Sequence, residues 1–486
     1  MENLFSPLTV KFLAGLYAII MILLTYFIRG YGRDKVSFLV AGRRVGLLES
    51  STSIAATWIW APALFVGAHQ AYVNGWVGVF WFTAPNILCL VFFAWFADIM
   101  RKKIPNGYTY SQFVRDKFST RCHSVYLFQF IALAVCSYAV QILAGASVIK
   151  ALTNMPMLEA SILLSLISLS YTLFAGLKVS VVSDILKMFL ILFIGFPLIF
   201  ISTMKAGGLD TILLGLNGIS HDVYFLADTG LKVFLTFGLP TAIGLFAGPF
   251  GDQSMWQRAF STENENVKSS FILASIIFGI VPISMSILGF IAAGNNLYID
   301  NVQNTNIYSI FTYIGPTGVF LFLIILIAGL VGTLDSRLAS VASLVGHDVV
   351  QRWVSEKRNS DTVALLYGRL GMIFLAITSI VIANIEGIGI IHLFLLYGQI
   401  RAATMLPTIM MLLDVNLDEG GIFWGIVSSF LVGLPIFTWG NFHSDWRLIV
   451  IGSLFTVLSS GIISIGYTKF KYMMRGYDER CTTKNN

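Results

Sequence analysis

Apolar residues run the length of the chain in stretches of about twenty, and the polar punctuation between them is too short for a soluble domain. A helix needs about 20 such residues to cross the hydrocarbon of a bilayer. Thirteen stretches qualify, near 8–28, 46–73, 76–98, 124–150, 156–174, 180–203, 231–252, 269–294, 313–347, 364–384, 387–413, 420–440 and 446–468. The pattern predicts an all-α polytopic membrane protein, one bundle over 1–486. Two stretches break their own apolar pattern. IAATWIWAPALFVGAHQ (54–70) holds Pro62 and Gly67, and GLPTAIGLFAGPFGDQ (238–253) holds Pro240, Gly244, Gly248, Pro249 and Gly251. Proline removes a ladder hydrogen bond and glycine tolerates unwinding. Broken backbone at membrane depth survives where it lines a cavity or is buried in protein. The two breaks lie five stretches apart and cross in opposite directions. That spacing predicts two inverted five-helix repeats, 46–203 and 231–413, with a binding site where the breaks meet. An extra first helix at 8–28, two last helices over 420–468 and a polar tail at 469–486 complete the expected layout.

Composition agrees with this picture. Hydrophobic residues make up 56% of the chain and charged residues 12%, with a mean hydropathy of +0.80, against about 25% charged in soluble domains. The net charge of +6 and pI near 9.0 come from Lys and Arg gathered in alternate connections. Arg29, Arg33, Lys35, Arg43 and Arg44 form the first group, Arg101, Lys102, Lys103, Arg115, Lys117 and Arg121 the second. Further members are Lys178, Arg258, Lys268, Arg352, Lys357, Arg358, Arg369 and the tail with Lys469, Lys471, Arg475, Arg480 and Lys484. The positive-inside rule then puts the N-terminus outside and the C-terminus in the cytoplasm, and it explains the basicity without nucleic acid. The first stretch lacks a small-residue cleavage site and reads as a retained span. Cys89, Cys122, Cys136 and Cys481 show neither metal spacing nor a disulfide framework. A multi-pass protein of a plasma (inner) membrane is expected, with the lipid bilayer and a small solute as partners and no obligate protein partner.

Charges inside the oily stretches change the picture most. LIAGLVGTLDSRLASVASLVG (326–346) carries Asp335 and Arg337, although a charge at a bilayer centre costs roughly 2.5–3.5 kcal/mol on insertion scales. Thr333, Ser336 and Ser340 share a helix face; Asp335 and Arg337 sit about 200° apart and cannot pair with each other. Each needs a partner on another helix, and Asp184 and Arg401 are available. Asp335 reads either as a cation ligand or proton carrier, or as half of an interhelical ion pair with Arg401. Arg401 reads either as that partner or as a bidentate anchor for a carboxylate-bearing solute. Lys187 is a further intramembrane charge.

Four strings resemble the sodium:solute symporter family, which includes proline, sugar, sialic acid and pantothenate symporters. They are SFLVAGRRVG (37–46), GLKVSVVSDILK (176–187), GDQSMWQRAFS (251–261), and 326–346 running into GHDVV (346–350). The resemblance implies a LeuT-like fold of about 13 helices and alternating access. It implies a sodium ion between core helices 1 and 8, which falls here on the carbonyls of Ala56, Ile59 and Gly329 and on positions 332 and 333. Thr333 supplies a hydroxyl; Gly332, where the family has a second, does not. Family symporters often carry an acid in the middle of core helix 1, where this chain has Trp58. Both departures bring proton coupling through Asp335 or Asp184 forward as the rival to sodium. Asp184 matches the family's acid near the cytoplasmic half of core helix 5.

The breaks and their neighbours supply candidate solute contacts: Trp58, Trp60, His69, Gln70, Asn86, Tyr138, Gln141, Phe246, Trp256, Tyr397, Gln399 and Arg401. Aromatic faces with a few amide groups suit a small polar organic solute. His69 and His392 read as satisfied packing groups. The function expected is cation-coupled symport of such a solute, with Na+ (or H+) as the coupling ion. A solute sensor with a transporter-like fold is the alternative; the short tail leaves no room for a signalling extension. An open channel conflicts with the occluding breaks, and no nucleophile, base and oxyanion grouping suggests an enzyme.

Overall fold

The computed structural model describes residues 4–27, 34–353 and 360–482. Arg29, Arg33, Lys357, Arg358 and Lys484 lie outside them. The long helices are α1 (Pro7–Phe27), α2 (Leu47–Trp58), α3 (Ala61–Lys103), α4 (Thr120–Thr153) and α5 (Met157–Ala206). After two short pieces, α6 (Leu239–Ala247) and α7 (Gln253–Ser261), come α8 (Val267–Gly294) and α9 (Pro316–Ser343). The chain continues with α10 (Asp361–Ala383), α11 (Ile390–Leu412), α12 (Glu419–Ser428), α13 (Leu434–Phe442) and α14 (Trp446–Thr482). Among the described residues the only β pairing is a parallel bridge between Val45 and Thr262.

Among the described residues eleven helices are long and apolar enough to cross a membrane. Two exceed any single span: α3 has 43 residues and α5 has 50, about 65 and 75 Å of helix at 1.5 Å per residue. Each contains a positive-φ glycine where two helical runs meet, Gly75 (φ 59°) and Gly176 (φ 57°). Both glycines are also pressed against other chain: a Cβ at 75 would come within 2.3 Å of the Leu216 carbonyl oxygen, and one at 176 within 2.3 Å of that of Phe38.

Both expected breaks are present. The first separates α2 from α3 at Ile59 and Trp60, where φ and ψ leave the helical region. The second is the 248–252 segment between α6 and α7, starting at Gly248. Both are packed against α9 and α11. The centre of α9 from Leu326 to Ser343 is entirely buried, which is where a helix carrying Asp335 and Arg337 must sit. Large apolar side chains of α1, α5, α10 and α14, such as Phe12, Phe193, Phe374 and Ile462, face outward, as a lipid-facing perimeter requires.

Candidate solute and cation site

The first break exposes the last carbonyls of α2. The Lys187 ammonium of α5 points straight at them. It donates to the carbonyl oxygens of Ala56 and Ile59 (2.7 Å to Ile59) and to Thr333 Oγ1 of α9 at 2.9 Å. An ammonium has three N–H donors and no acceptor, so these three oxygens use it completely. They are three of the groups expected to hold sodium. The other two positions are accounted for by the same side chain and its helix. The Gly329 carbonyl accepts from Thr333 Oγ1 at 3.0 Å. At Gly332 a Cβ would lie 3.0 Å from Lys187 Cδ and 3.4 Å from Ser183 Oγ. The space for a hydroxyl-bearing side chain at 332 is therefore filled by the stem of Lys187.

Beside it lies a second polar cluster. Asp184, one turn before Lys187 on α5, accepts from Arg258 Nη2 (2.9 Å), Ser53 Oγ (2.7 Å) and Thr57 Oγ1 (3.3 Å). Arg258 also donates to Ser336 Oγ (2.8 Å) and Ser53 Oγ (3.1 Å). Arg258 is 1% exposed, so its expected place among the basic connections is corrected: α7 tucks it under the bundle, where Asp184 compensates it. Asp335 turns to α5 and accepts from Tyr171 Oη and Ser180 Oγ, each at 2.7 Å. The pairing with Arg401, one of its two expected readings, does not occur among the described residues.

Arg337 pairs instead with Asp252 at the second break, and also donates to Ser254 Oγ (2.9 Å) and Tyr397 Oη (3.0 Å). The other α7 residues of the 251–261 string tie it to its neighbours. Gln253 donates to Ser343 Oγ at 3.2 Å, and Gln257 to the carbonyls of Leu39 (2.6 Å) and Ala339 (3.0 Å).

Arg401 is 1% exposed, and its guanidinium lies over the Tyr397 ring at 3.7 Å and near the Trp58 ring at 5.7 Å. Among the described residues it makes no ion pair, and its Nε has no hydrogen-bond partner. The Trp60 ring lies tilted 5.1 Å from those of both Phe394 and Tyr397. A cavity of about 640 Å³ lined by Phe65, His69, Gln70, Phe237 and Phe394 reaches the surface at Gln303. A smaller one of about 200 Å³, lined by Thr241, Leu245, Leu395 and Arg401, shares the Phe394 wall.

The remaining candidates separate into cavity groups and packing groups. His69 meets the Val302 carbonyl at 3.1 Å, and Gln70 accepts from Asn74 Nδ2 at 2.7 Å. Asn86 donates to the Phe82 carbonyl at 2.7 Å, while Tyr138 meets Ser168 at 3.0 Å. Gln141 and Gln399 are buried. Trp256 donates to the Phe250 carbonyl at 2.8 Å and stacks on Tyr110, and Phe246 packs toward Phe92; both are wall rather than lining. His392 accepts from the Gly389 N–H at the start of α11. Among the described residues no group of three or more His, Cys, Asp or Glu forms a metal cluster. The sequence reading gave Lys187, Arg258 and Asp252 no role at the site. Lys187 stood in view one turn beyond Asp184, but only the packing of α5 on the first break shows what it meets.

Comparisons with known proteins point one way. The model of the sodium:solute symporter family matches residues 38–428. The urea-proton symporter DUR3 of Oryza sativa subsp. japonica is 23% identical over 442 residues, 82% of this chain and 60% of that protein. The urea active transporter of Saccharomyces cerevisiae is 23% identical over 468 residues, 88% of this chain and 62% of that protein. The chain thus spans about six tenths of the length of these curated relatives. In fold it is similar to a Na+-coupled sialic acid symporter solved in a substrate-bound, outward-open state, with a TM-score of 0.74 at 18% identity, covering 94% of this chain and 97% of that one. Mhp1, a nucleobase-cation-symport-1 family transporter in a closed conformation, gives a TM-score of 0.58 at 15% identity over 90% of this chain and 96% of that one.

Proposed function

The chain belongs to the sodium:solute symporter family, and from that premise we propose that it is a proton-coupled symporter of a small organic solute, with Lys187 standing where the family's sodium would bind. One observation carries this reading. The Lys187 ammonium donates to Ala56, Ile59 and Thr333, and its stem takes the place of the missing hydroxyl at 332. A hard cation needs several oxygens around it; here an N–H already claims each of these.

The arrangement couples a proton to the breaks. A charged Lys187 ties the end of α2 to α9. A neutral amine has one donor fewer and a lone pair in its place, so one of the three oxygens loses its bond and the tie loosens. Asp335 lies within the same polar layer, linked through Tyr171 and Ser183, and is the second candidate proton carrier. The cavity at Gln303 supports a state open at that end. The Asp184–Arg258 and Asp252–Arg337 pairs support closure beyond the breaks. With the N-terminus outside and α3 and α5 each counted as two spans, that open end faces out. The resemblance to urea-proton symporters favours protons, and urea is one solute to try.

Proteoliposomes loaded with a pH-sensitive dye test this. Adding labelled urea or a small monocarboxylate should acidify the lumen as solute enters, and an imposed inward proton gradient should concentrate it. An inward sodium gradient at equal pH should not. Accumulation that follows sodium and ignores pH would overturn the reading. Lys187→Met should still equilibrate solute but lose proton-driven accumulation.

A further inference from the structure

We propose that the cavity beside the second break is a carboxylate-binding subsite, and that the solute is a small monocarboxylate held by Arg401. The inference rests on the transport reading only for calling the bound molecule cargo.

Arg401 is a buried guanidinium that makes no ion pair among the described residues. Every other carboxylate at depth is engaged elsewhere. Asp184 takes Arg258 and Asp335 takes Tyr171 and Ser180. Asp348 takes Ser111 and meets His123. Asp252 is the near neighbour, but its Oδ1 accepts from the Ser254 N–H and Oγ, and its Oδ2 from Arg337 and Tyr397. A guanidinium offers five donors in a planar fork that fits a carboxylate bidentately. A buried charge without a partner carries a large desolvation cost, which a bound anion would relieve.

The surroundings hold the fork in place for such a partner. Tyr397 covers one face at 3.7 Å. The second break makes the room: a Cβ at Gly248 would strike Arg401 Nη1 at 2.6 Å, and one at Gly251 would meet Arg401 Cα at 2.8 Å. Arg401 then lines the cavity beside the second break together with Thr241. Thr241 Oγ1 is buried and has no hydrogen-bond partner. Leu245, Leu395 and Phe394 complete an otherwise apolar wall. The chemistry is thus one cationic fork, one hydroxyl and a short apolar wall. Phe394 lines both this cavity and the one that reaches Gln303, so a rotation of that ring would change the passage between them.

The test is equilibrium binding to the purified full chain at pH 7.5, using matched pairs: propionate with propionamide, lactate with lactamide, and urea. Shape is nearly constant within a pair and charge is not. At least one acid should bind ten times or more tighter than its amide and than urea. Arg401→Gln should erase that preference, and Arg401→Lys, a point charge without the fork, should restore part of it. Thr241→Val, which keeps the charge, should weaken the acid several-fold, and it serves if Arg401→Gln does not fold. Equal binding of acid and amide, tighter binding of urea, or no acid bound at all would overturn the proposal. Uptake separates the two readings. An acid that binds at Arg401 but is never carried into proteoliposomes contradicts transport and leaves the subsite standing. Urea carried without any acid binding does the reverse.

Discussion

At position 332 a hydroxyl would have to share its space with the stem of Lys187. Gly332 and Lys187 are therefore one substitution spread over two helices. Gly332→Ser alone should crowd the amine and lower the melting temperature. Lys187→Gln alone should also destabilise, because each buried acceptor left unsatisfied costs about 1–3 kcal/mol. The double variant Gly332→Ser/Lys187→Gln should recover part of that loss in sodium and not in potassium, since it restores the second hydroxyl and vacates the oxygens. A double variant no more stable in sodium would show that these oxygens need more than vacancy to bind it. The ion pair alongside allows a simpler cycle. Arg258→Gln strands Asp184 and should cost about 3–5 kcal/mol, as should Asp184→Asn, while the double variant should be milder than either. Additive losses in chemical denaturation would mean that the two residues do not act as a pair.

Among the elements, the two broken helices were legible and their consequences were not. Pro62, Pro240 and the glycines of 238–253 signal the breaks because their backbone chemistry is local. What meets the freed carbonyls depends on how α5 packs on α2, and nothing in the periodicity of either helix contains that. Arg258 shows the same limit. The polar string 251–261 reads as a connection by composition, yet α7 lies wholly inside because Asp184, Ser343 and the carbonyls of Leu39 and Ala339 satisfy it. Asp335 and Arg337 were correctly denied to each other by helix geometry, but the choice of partner lay beyond the sequence. The kinks give a test at this scale. Gly42 and Gly176 both have positive φ, but only Gly176 is crowded, by Phe38. Gly42→Ala should cost about 1–2 kcal/mol of backbone strain alone, and Gly176→Ala clearly more. Equal melting temperatures would argue that the close approach at Gly176 relaxes at no cost.

Over the whole molecule, ion pairs gather at the end where the basic connections lie. Asp414, between α11 and α12, accepts from Lys103 at 2.5 Å and Lys117 at 3.3 Å. Those two ammonium groups hold its carboxyl below the usual carboxylate range. A depressed native pKa gives stability that is present above the unfolded value and lost as pH falls through the native one. The wild type should therefore lose slightly more stability than Asp414→Asn on acidification below about pH 4. High salt should erase the difference, because the site is exposed. Identical acid profiles at low salt would remove Asp414 from the account. These surface ties trim the fold; on the proposed reading it is the central layer of Lys187, Asp184, Arg258, Asp335 and Arg337 that sets the coupling ion.

The most direct test of that layer is the melting temperature of the purified wild-type chain in sodium against potassium at matched ionic strength. A ligand that binds only the folded state at a hundred times its dissociation constant adds about 2.7 kcal/mol, a shift well within reach of a melting curve. With Lys187 on the oxygens of Ala56, Ile59 and Thr333, the two salts should give the same curve. A rise specific to sodium that disappears in Thr333→Ala would mean that the ion displaces the ammonium, and would contradict the account.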